Sequence, residues 1–201
     1  MFRVNDNAHD SNAVPDEPVP PSLQGDIERI LFPRRRIAAR IRALAGRIGG
    51  DFGDRPMMLA AIMTGSLIFV ADLIRHLPLR MRIHLFGLSS YAGAATESDG
   101  ARMLGQRGAE FAGKHVLIID DILDSGRTLA ATVEACRLAG AESIRTCVLL
   151  RKPPARRKPG GLDQVDYVGF DVPDVWVVGY GLDYGDYYRN LPDIAVLKKK
   201  C

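Results

Sequence analysis

The chain has 201 residues, of which 47% are hydrophobic and 25% charged, with a formal net charge of +3. That length suits one α/β domain with an accessory piece, and the composition is that of an ordinary globular protein. The charge excess is too small to call for nucleic acid, and no apolar run approaches the roughly 20 residues needed to span a bilayer, so neither a nucleic-acid nor a membrane partner is expected. Three cysteines, Cys136, Cys147 and Cys201, show no metal-ligand spacing. Their odd number and the lack of a secretory leader fit a reducing cytoplasm.

Residues 1–25 are polar and proline-rich (Pro15, Pro18, Pro20, Pro21) and are expected to be disordered, because they bury too little apolar surface to offset their ordering entropy. From Pro33 a helix is predicted with Ile37, Ile41, Leu44 and Ile48 on one face and Gly49-Gly50 at its end. Its arginines (Arg34, Arg35, Arg36, Arg40, Arg42, Arg47) read as a solvated face in preference to an RNA-binding one, since the apolar stripe already explains the helix. Met57 to Met63 forms a buried strand, Thr64-Gly65-Ser66 a small turn that offers amides to an anion, and Leu67 to Leu77 an apolar helix. Arg80 to Ser90 is a third strand. Residues 91–108 lack apolar periodicity, and a loop of this length between core elements is expected to be a mobile active-site lid.

The segment from Val116 to Thr128 organises the chain. Val116-Leu117-Ile118-Ile119 makes a strand buried on both faces, as in a parallel sheet. The carboxylates of Asp120 and Asp121 end it, Asp124 follows, and Ser125-Gly126-Arg127-Thr128 forms a polar loop. Leu129, Val133 and Cys136 then recur at helical spacing up to Gly140, and Ile144 to Leu150 supplies the next strand. Strand, loop, helix and strand make a βαβ unit. Ligands of such sheets bind beyond the carboxyl ends of the strands. There the loop amides, the two hydroxyls and the helix N-terminus would cradle a phosphate monoester. Acids beside a phosphate must face hydroxyl groups, a metal ion or a proton to be moved, and a sugar phosphate meets these conditions. No G-x-x-x-x-G-K-[ST] loop occurs.

After Leu150 the character changes. Residues 151–161 form a basic, proline-broken loop, followed by the short β-like runs Tyr167 to Phe170 and Val175 to Tyr180. The sole tryptophan and five of the six tyrosines lie in this region, which suits it to stack a flat ring, although an aromatic-rich minor core explains the tyrosines equally well.

The apolar strand, the paired acids and the D-S-G-R-T loop resemble the phosphoribosyl pyrophosphate (PRPP) motif of type I phosphoribosyltransferases. Ser89-Ser90-Tyr91, Leu149 to Pro153, Asp166 to Asp174, the run V-G-Y-G-L-D-Y ending at Tyr184, and Tyr188-Arg189-Asn190-Leu191-Pro192 are similar in order and spacing to hypoxanthine-guanine phosphoribosyltransferases. The resemblance runs from about Ile30 to Lys198. It implies a central, mostly parallel sheet flanked by helices, with a PRPP-binding core over 26–150 and a base-binding hood over 151–201. It also implies Mg²⁺-dependent transfer of the phosphoribosyl group of PRPP to N9 of a 6-oxopurine.

On the same resemblance, Asp120 and Asp121 hold the ribose hydroxyls and help hold Mg²⁺, and Asp124 is the acid/base group at N7. Ser125, Gly126, Arg127 and Thr128 bind the 5′-phosphate. Thr64, Gly65 and Arg189 bind pyrophosphate. Lys152 reads the oxygen at C6, Trp176 stacks on the base, and the Val177 backbone completes base recognition. Asp183 ligates Mg²⁺, and Ser90 and Tyr91 belong to the lid. A homodimer or homotetramer is expected. Many relatives carry Lys or Arg where this chain has Thr64, Glu where it has Asp120 and Lys where it has Arg127. The alternatives are an RNA-binding regulator on the same fold, or a phosphoribosyltransferase for xanthine or a pyrimidine.

Overall fold

The computed structural model describes residues 19–87 and 109–198. Two sheets form within them. Strands β2 (Met57–Ile62), β3 (Met81–Phe86), β4 (His115–Leu123), β5 (Ser143–Arg151) and β6 (Tyr167–Asp171) make a five-stranded sheet in the order β3-β2-β4-β5-β6, parallel at every pairing. Strands β1 (Ile27–Phe32), β7 (Val177–Val178) and β8 (Ile194–Leu197) make a small antiparallel sheet in the order β1-β8-β7.

The central strands alternate between two cores, as a sheet covered on both faces requires. Leu117 and Ile119 of β4 pack with Leu59 and Ala61 against helices α2 (Arg34–Phe52) and α3 (Leu67–Ile74). Val116 and Ile118 pack on the other side with Met58, Ala60 and Leu129 of α4 (Arg127–Leu138). Among the described residues no helix is long and apolar enough to cross a membrane.

Helix α2 runs past Gly49-Gly50, where the sequence suggested an end. Its apolar stripe continues from Ile48 to Phe52, which is also buried, and the break falls at Gly53, whose φ of +57° is open to glycine. Pro33 precedes the helix and offers no side-chain cap. The buried carboxylate of Asp193, at the entry to β8, takes that place: Oδ1 accepts the Arg34 backbone N–H at 2.7 Å. The small sheet is thereby fastened to the start of the helix.

Several arginines of α2 are engaged within the chain. Arg34 pairs with Asp193 at 3.4 Å, and Arg36 lies over the rings of Phe32 and Phe170. Arg40 donates to the carbonyls of Val168 and Gly169 on edge strand β6, at 2.9 and 2.6 Å, and Arg47 covers Tyr167. Unpaired carbonyls on a sheet edge invite a partner, and this helix supplies one.

Residues 19–25, expected to be disordered, include a one-turn helix α1 (Pro21–Gln24) that leads into β1. Strand β1 joins the small sheet, and β6 joins the large one. The expected disorder of residues 1–18 and the expected lid, with Ser90 and Tyr91, lie outside the described residues.

Leu117 is fully buried in the middle of the central strand. Leu117→Ala is expected to lower stability by about 2–5 kcal/mol through lost burial and the cavity left behind. In urea the midpoint should fall with an unchanged slope, which separates a core defect from a change in the unfolded state.

Candidate active site

A cavity of about 280 Å³ opens where β2 and β4 run out toward the loops that follow them. Strand β4 does not end at the acid pair as its sequence suggested. It continues to Leu123, because β5 extends alongside and pairs Ile122 with Leu150 and Leu123 with Arg151. Asp120 and Asp121 therefore sit on regular strand and line the cavity from its floor. Asp120 Oδ1 accepts the Asp121 N–H at 3.0 Å, and Asp121 Oδ1 accepts the Ile122 N–H at 2.7 Å. Burial pushes the Asp120 carboxyl well above the usual carboxylate range, and repulsion from Asp121 adds to this. Burial raises Asp121 as well, partly countered by its hydrogen bonds and by Arg189.

Two backbones close on this pair. A Cβ at Gly65 would fall 1.7 Å from Asp121 Oδ2, so only glycine lets the Thr64-Gly65 turn lie against the carboxylate. Gly181, at φ +99°, in turn lies on the Gly65 carbonyl, which an added Cβ would approach to 2.2 Å. Beyond it, Arg189 donates through Nη1 to the Gly181 carbonyl at 2.9 Å and pairs through Nη2 with Asp183 at 2.8 Å and Asp186 at 3.0 Å. Thr64, Asp183 and Arg189 all line the cavity.

Asp124, Ser125, Gly126 and Thr128 form the remaining wall. Gly126 precedes α4 at φ +77°, and the first amides of that helix have no intrahelical acceptor. Arg127 is exposed and donates to the Pro159 carbonyl at 3.4 Å, so its side chain does not line the cavity.

A second cavity of about 730 Å³ adjoins the first and contains Lys152, Arg156, Asp174, Val175, Trp176 and Tyr184 in its lining. Asp124 lines both. Lys152 is buried at 8% exposure, with Nζ donating to the Val175 carbonyl at 2.7 Å and lying 3.3 Å from Asp174 Oδ1. Trp176 is 65% exposed, with Tyr184 edge-on at 5.6 Å. Val177 is buried in β7 and does not line the cavity, whereas Val175 does.

Arg156 grips both oxygens of Asp124, at 2.8 and 3.1 Å. That contact holds the Asp124 carboxyl below the usual carboxylate range, with nearby Lys152 and Arg157 contributing. Sequence reasoning missed Arg156, Asp174 and Gly181. The first belongs to a stretch that reads only as a basic loop, and nothing local to it signals a partner 32 positions away.

No group of three or more His, Cys, Asp or Glu side chains suited to a metal ion forms among the described residues. Asp120, Asp121 and Asp183 nonetheless share one cavity, and their hard carboxylate oxygens suit a magnesium ion that takes one or two protein ligands and completes its shell from substrate and water.

Residues 30–185 match the model of the phosphoribosyl transferase domain. The chain is 37% identical over 176 residues to the hypoxanthine-guanine phosphoribosyltransferase of Bacillus subtilis, covering 88% of this chain and 96% of that one. It is 38% identical over 179 residues to that of Mycobacterium avium, covering 86% and 87%. The solved structure of a hypoxanthine phosphoribosyltransferase from Staphylococcus aureus superposes with a TM-score of 0.78 at 33% identity, covering 90% of this chain and 98% of that one. A parallel sheet with acids, a hydroxyl loop and glycine turns gathered at its carboxyl edge is the architecture of a phosphoribosyltransferase, and the chain belongs to that family. Within it, the chain groups with the hypoxanthine-guanine enzymes.

Burial of Asp120 has a pH signature. A carboxyl whose folded-state pKa lies above the unfolded value of about 3.9 favours the folded state at low pH and costs stability as pH rises through the folded value. Asp120→Asn keeps an acceptor for the Asp121 N–H and removes the charge. In EDTA-containing buffer the variant should melt higher than wild type at pH 8, with a smaller gain at pH 5. Melting curves at the two pH values check this, and an equal or larger gain at pH 5 would contradict it.

Proposed function

We propose that this protein transfers the 5-phosphoribosyl group of PRPP to N9 of hypoxanthine or guanine, giving IMP or GMP and pyrophosphate in purine salvage. The observation that carries the reading is the shared position of Asp124: one carboxylate lines both a cavity of acids, hydroxyls and amides and a cavity with a buried lysine and an exposed tryptophan. A reaction that joins a sugar phosphate to a flat base needs a proton-handling group at that junction.

In this reading, residues 26–150 form the PRPP-binding core and residues 151–201 the base-binding hood, to which β1 adds a strand. Asp120 and Asp121 hold the ribose hydroxyls, and Ser125, Gly126, Thr128 and the Arg127 backbone hold the 5′-phosphate. Thr64, Gly65 and Arg189 face pyrophosphate. Lys152 donates to the C6 oxygen, Trp176 stacks on the ring, and the main chain about Val175 and Val177 completes the base site. Asp183, with Asp120 and Asp121, would hold Mg²⁺, which when bound offsets charge on the departing pyrophosphate.

The ribose passes through an oxocarbenium-like state, so the site must gather charge around the leaving group and exclude water. Asp124, whose ionised form the Arg156 contact favours, would accept the N7 proton of the base. Closure over the site by the segment with Ser90 and Tyr91 belongs to the same reading. So does assembly as a homodimer or homotetramer: Ile83 and Leu85 on edge strand β3, and Leu67 at the start of α3, are 47–57% exposed apolar side chains. A cytoplasmic location fits the buried free thiols of Cys136 and Cys147. The α2 arginines, largely engaged with the chain's own rings and carbonyls, do not favour an RNA-binding role.

The test is pyrophosphate release from PRPP and Mg²⁺ with hypoxanthine, guanine, xanthine, adenine and uracil offered separately. Turnover confined to uracil, or absent with every base, would reject the proposal. Asp124→Asn should lower kcat by about 10²-fold or more, the range for a lost acid/base group, with PRPP binding retained. Turnover within a few-fold of wild type would remove Asp124 from that role.

Lysine donates to an oxygen and cannot accept from the amino group of adenine, so wild type should reject adenine. Lys152→Gln should lose activity on hypoxanthine and guanine selectively. Equal wild-type activity on adenine and hypoxanthine would overturn the assignment of Lys152.

A further inference from the structure

The basic, proline-broken loop after β5 has two adjacent arginines that take hold of the base site in different ways. Arg156 occupies both carboxylate oxygens of Asp124, and its Nε also lies 3.6 Å from Asp174 Oδ1. Asp174 is in turn 3.3 Å from Lys152 Nζ. Asp124, Arg156, Asp174 and Lys152 thus make a chain of alternating charge along the larger cavity, which all four line. Arg157 grips the main chain of the two end members. Its Nη1 donates to the carbonyls of Leu123 and Asp124 at 3.1 and 2.6 Å, and its Nη2 donates to the Lys152 carbonyl at 3.0 Å.

N7 and the oxygen on C6 are neighbours on one edge of a 6-oxopurine, so the groups that read them must be held at a fixed separation. We propose that Arg156, Arg157 and Asp174 are positioning residues for base recognition, a clamp that fixes the Asp124 carboxylate against the Lys152 ammonium at the spacing of that edge. The inference rests on the assignment of Asp124 to N7 and Lys152 to O6. The planar guanidinium fork is what the geometry demands, since a lysine in its place keeps the charge but cannot hold both oxygens of a carboxylate in one plane. A purely structural role predicts something else. The side chains of Arg156 and Asp174 are 42% and 55% exposed, and ion pairs so exposed add little to stability.

Steady-state kinetics of wild type, Asp174→Asn, Arg156→Gln and Arg156→Lys, with hypoxanthine and PRPP varied in turn, test the clamp. Misplaced reading groups should cut kcat/KM for hypoxanthine by about tenfold or more in all three variants, with KM for PRPP within about twofold. Arg156→Lys should recover little of what Arg156→Gln loses, and Asp174→Asn should narrow the preference for hypoxanthine over adenine. Melting temperatures should stay within about 4 °C of wild type. Wild-type kinetics in Arg156→Lys, hypoxanthine and PRPP constants that move together, or losses that track melting temperature overturn the clamp. If wild type turns over and the variants match it, the positioning role alone fails. If wild type shows no PRPP-dependent turnover, the reading of Asp124 and Lys152 fails and the clamp with it.

Discussion

Two adjacent carboxylates carried on the buried central strand impose the constraint around which this molecule is built. Asp120 and Asp121 are desolvated and repel each other, an arrangement that costs folding free energy unless a ligand or cation answers it. The surroundings relieve this cost only in part, through backbone hydrogen bonds and Arg189. Gly65 lies against the Asp121 carboxylate with no room for a Cβ, Gly181 lies on Gly65, and Arg189 is the cationic side chain that approaches from the cavity wall. The interior of the sheet supplies the rigidity: β2 is buried at all six positions and β4 is packed on both faces, so the acids cannot swing away. A site strained in the free protein and satisfied by a diol or metal is a common route to tight, oriented binding.

The small sheet joins strands from opposite ends of the described residues. β1 and β8 are about 165 positions apart and pair directly, and the Asp193 carboxylate just before β8 caps the helix that follows β1. The loop between β7 and β8 carries Asp183 and Arg189, and within it Asp186 and Tyr188 adopt positive φ of 66° and 73°. Such backbone persists only where contacts over-determine it. The Tyr188 hydroxyl donates to Asp26 at 2.8 Å, which ties the residue beside Arg189 to the entry of β1. Tyr180 bonds Asp72 of α3, so the same loop is fixed to the helix that follows Gly65. The loop that carries Asp183 and Arg189 is thus tied both to the small sheet and to the helix packed on the large one.

Much of this was legible in the sequence where the signal is local. Four apolar residues before two acids announce a strand covered on both faces, and D-S-G-R-T announces the loop beyond it. Hence the parallel sheet and most of the cavity lining follow from the residues themselves. Where partners are distant, the sequence is silent. β1 has the mixed burial of a strand in a small sheet and no alternation to mark it, because β8 creates its environment. Charge reads as the end of β4, whereas its neighbour β5 decides the length of the ladder. Gly49-Gly50 reads as a helix end, yet Phe52 one turn beyond Ile48 still finds the core. Arg156 and Arg157 share one basic stretch with Arg151 and Lys152, and only the folded chain distinguishes a side-chain grip on Asp124 from a main-chain one.

Thr64 shows how the charge around the smaller cavity is distributed. Four aspartates, Asp120, Asp121, Asp124 and Asp183, line it together with one cationic residue, Arg189, among the described residues. Asp124 is already held by Arg156 from the far side, and Arg189 shares its guanidinium with Asp183, Asp186 and the Gly181 carbonyl. Where the family resemblance implies a lysine or arginine, this chain has Thr64, whose hydroxyl is worth less to a polyanion than a charge-assisted contact. On the proposed function, the attraction for pyrophosphate would come from Arg189, from the backbone amides of the Thr64-Gly65 turn and from any metal held by the aspartates. A site balanced in this way should depend more steeply on the metal than one with a second fixed cation. Its leaving group should also depart more readily once that metal is released.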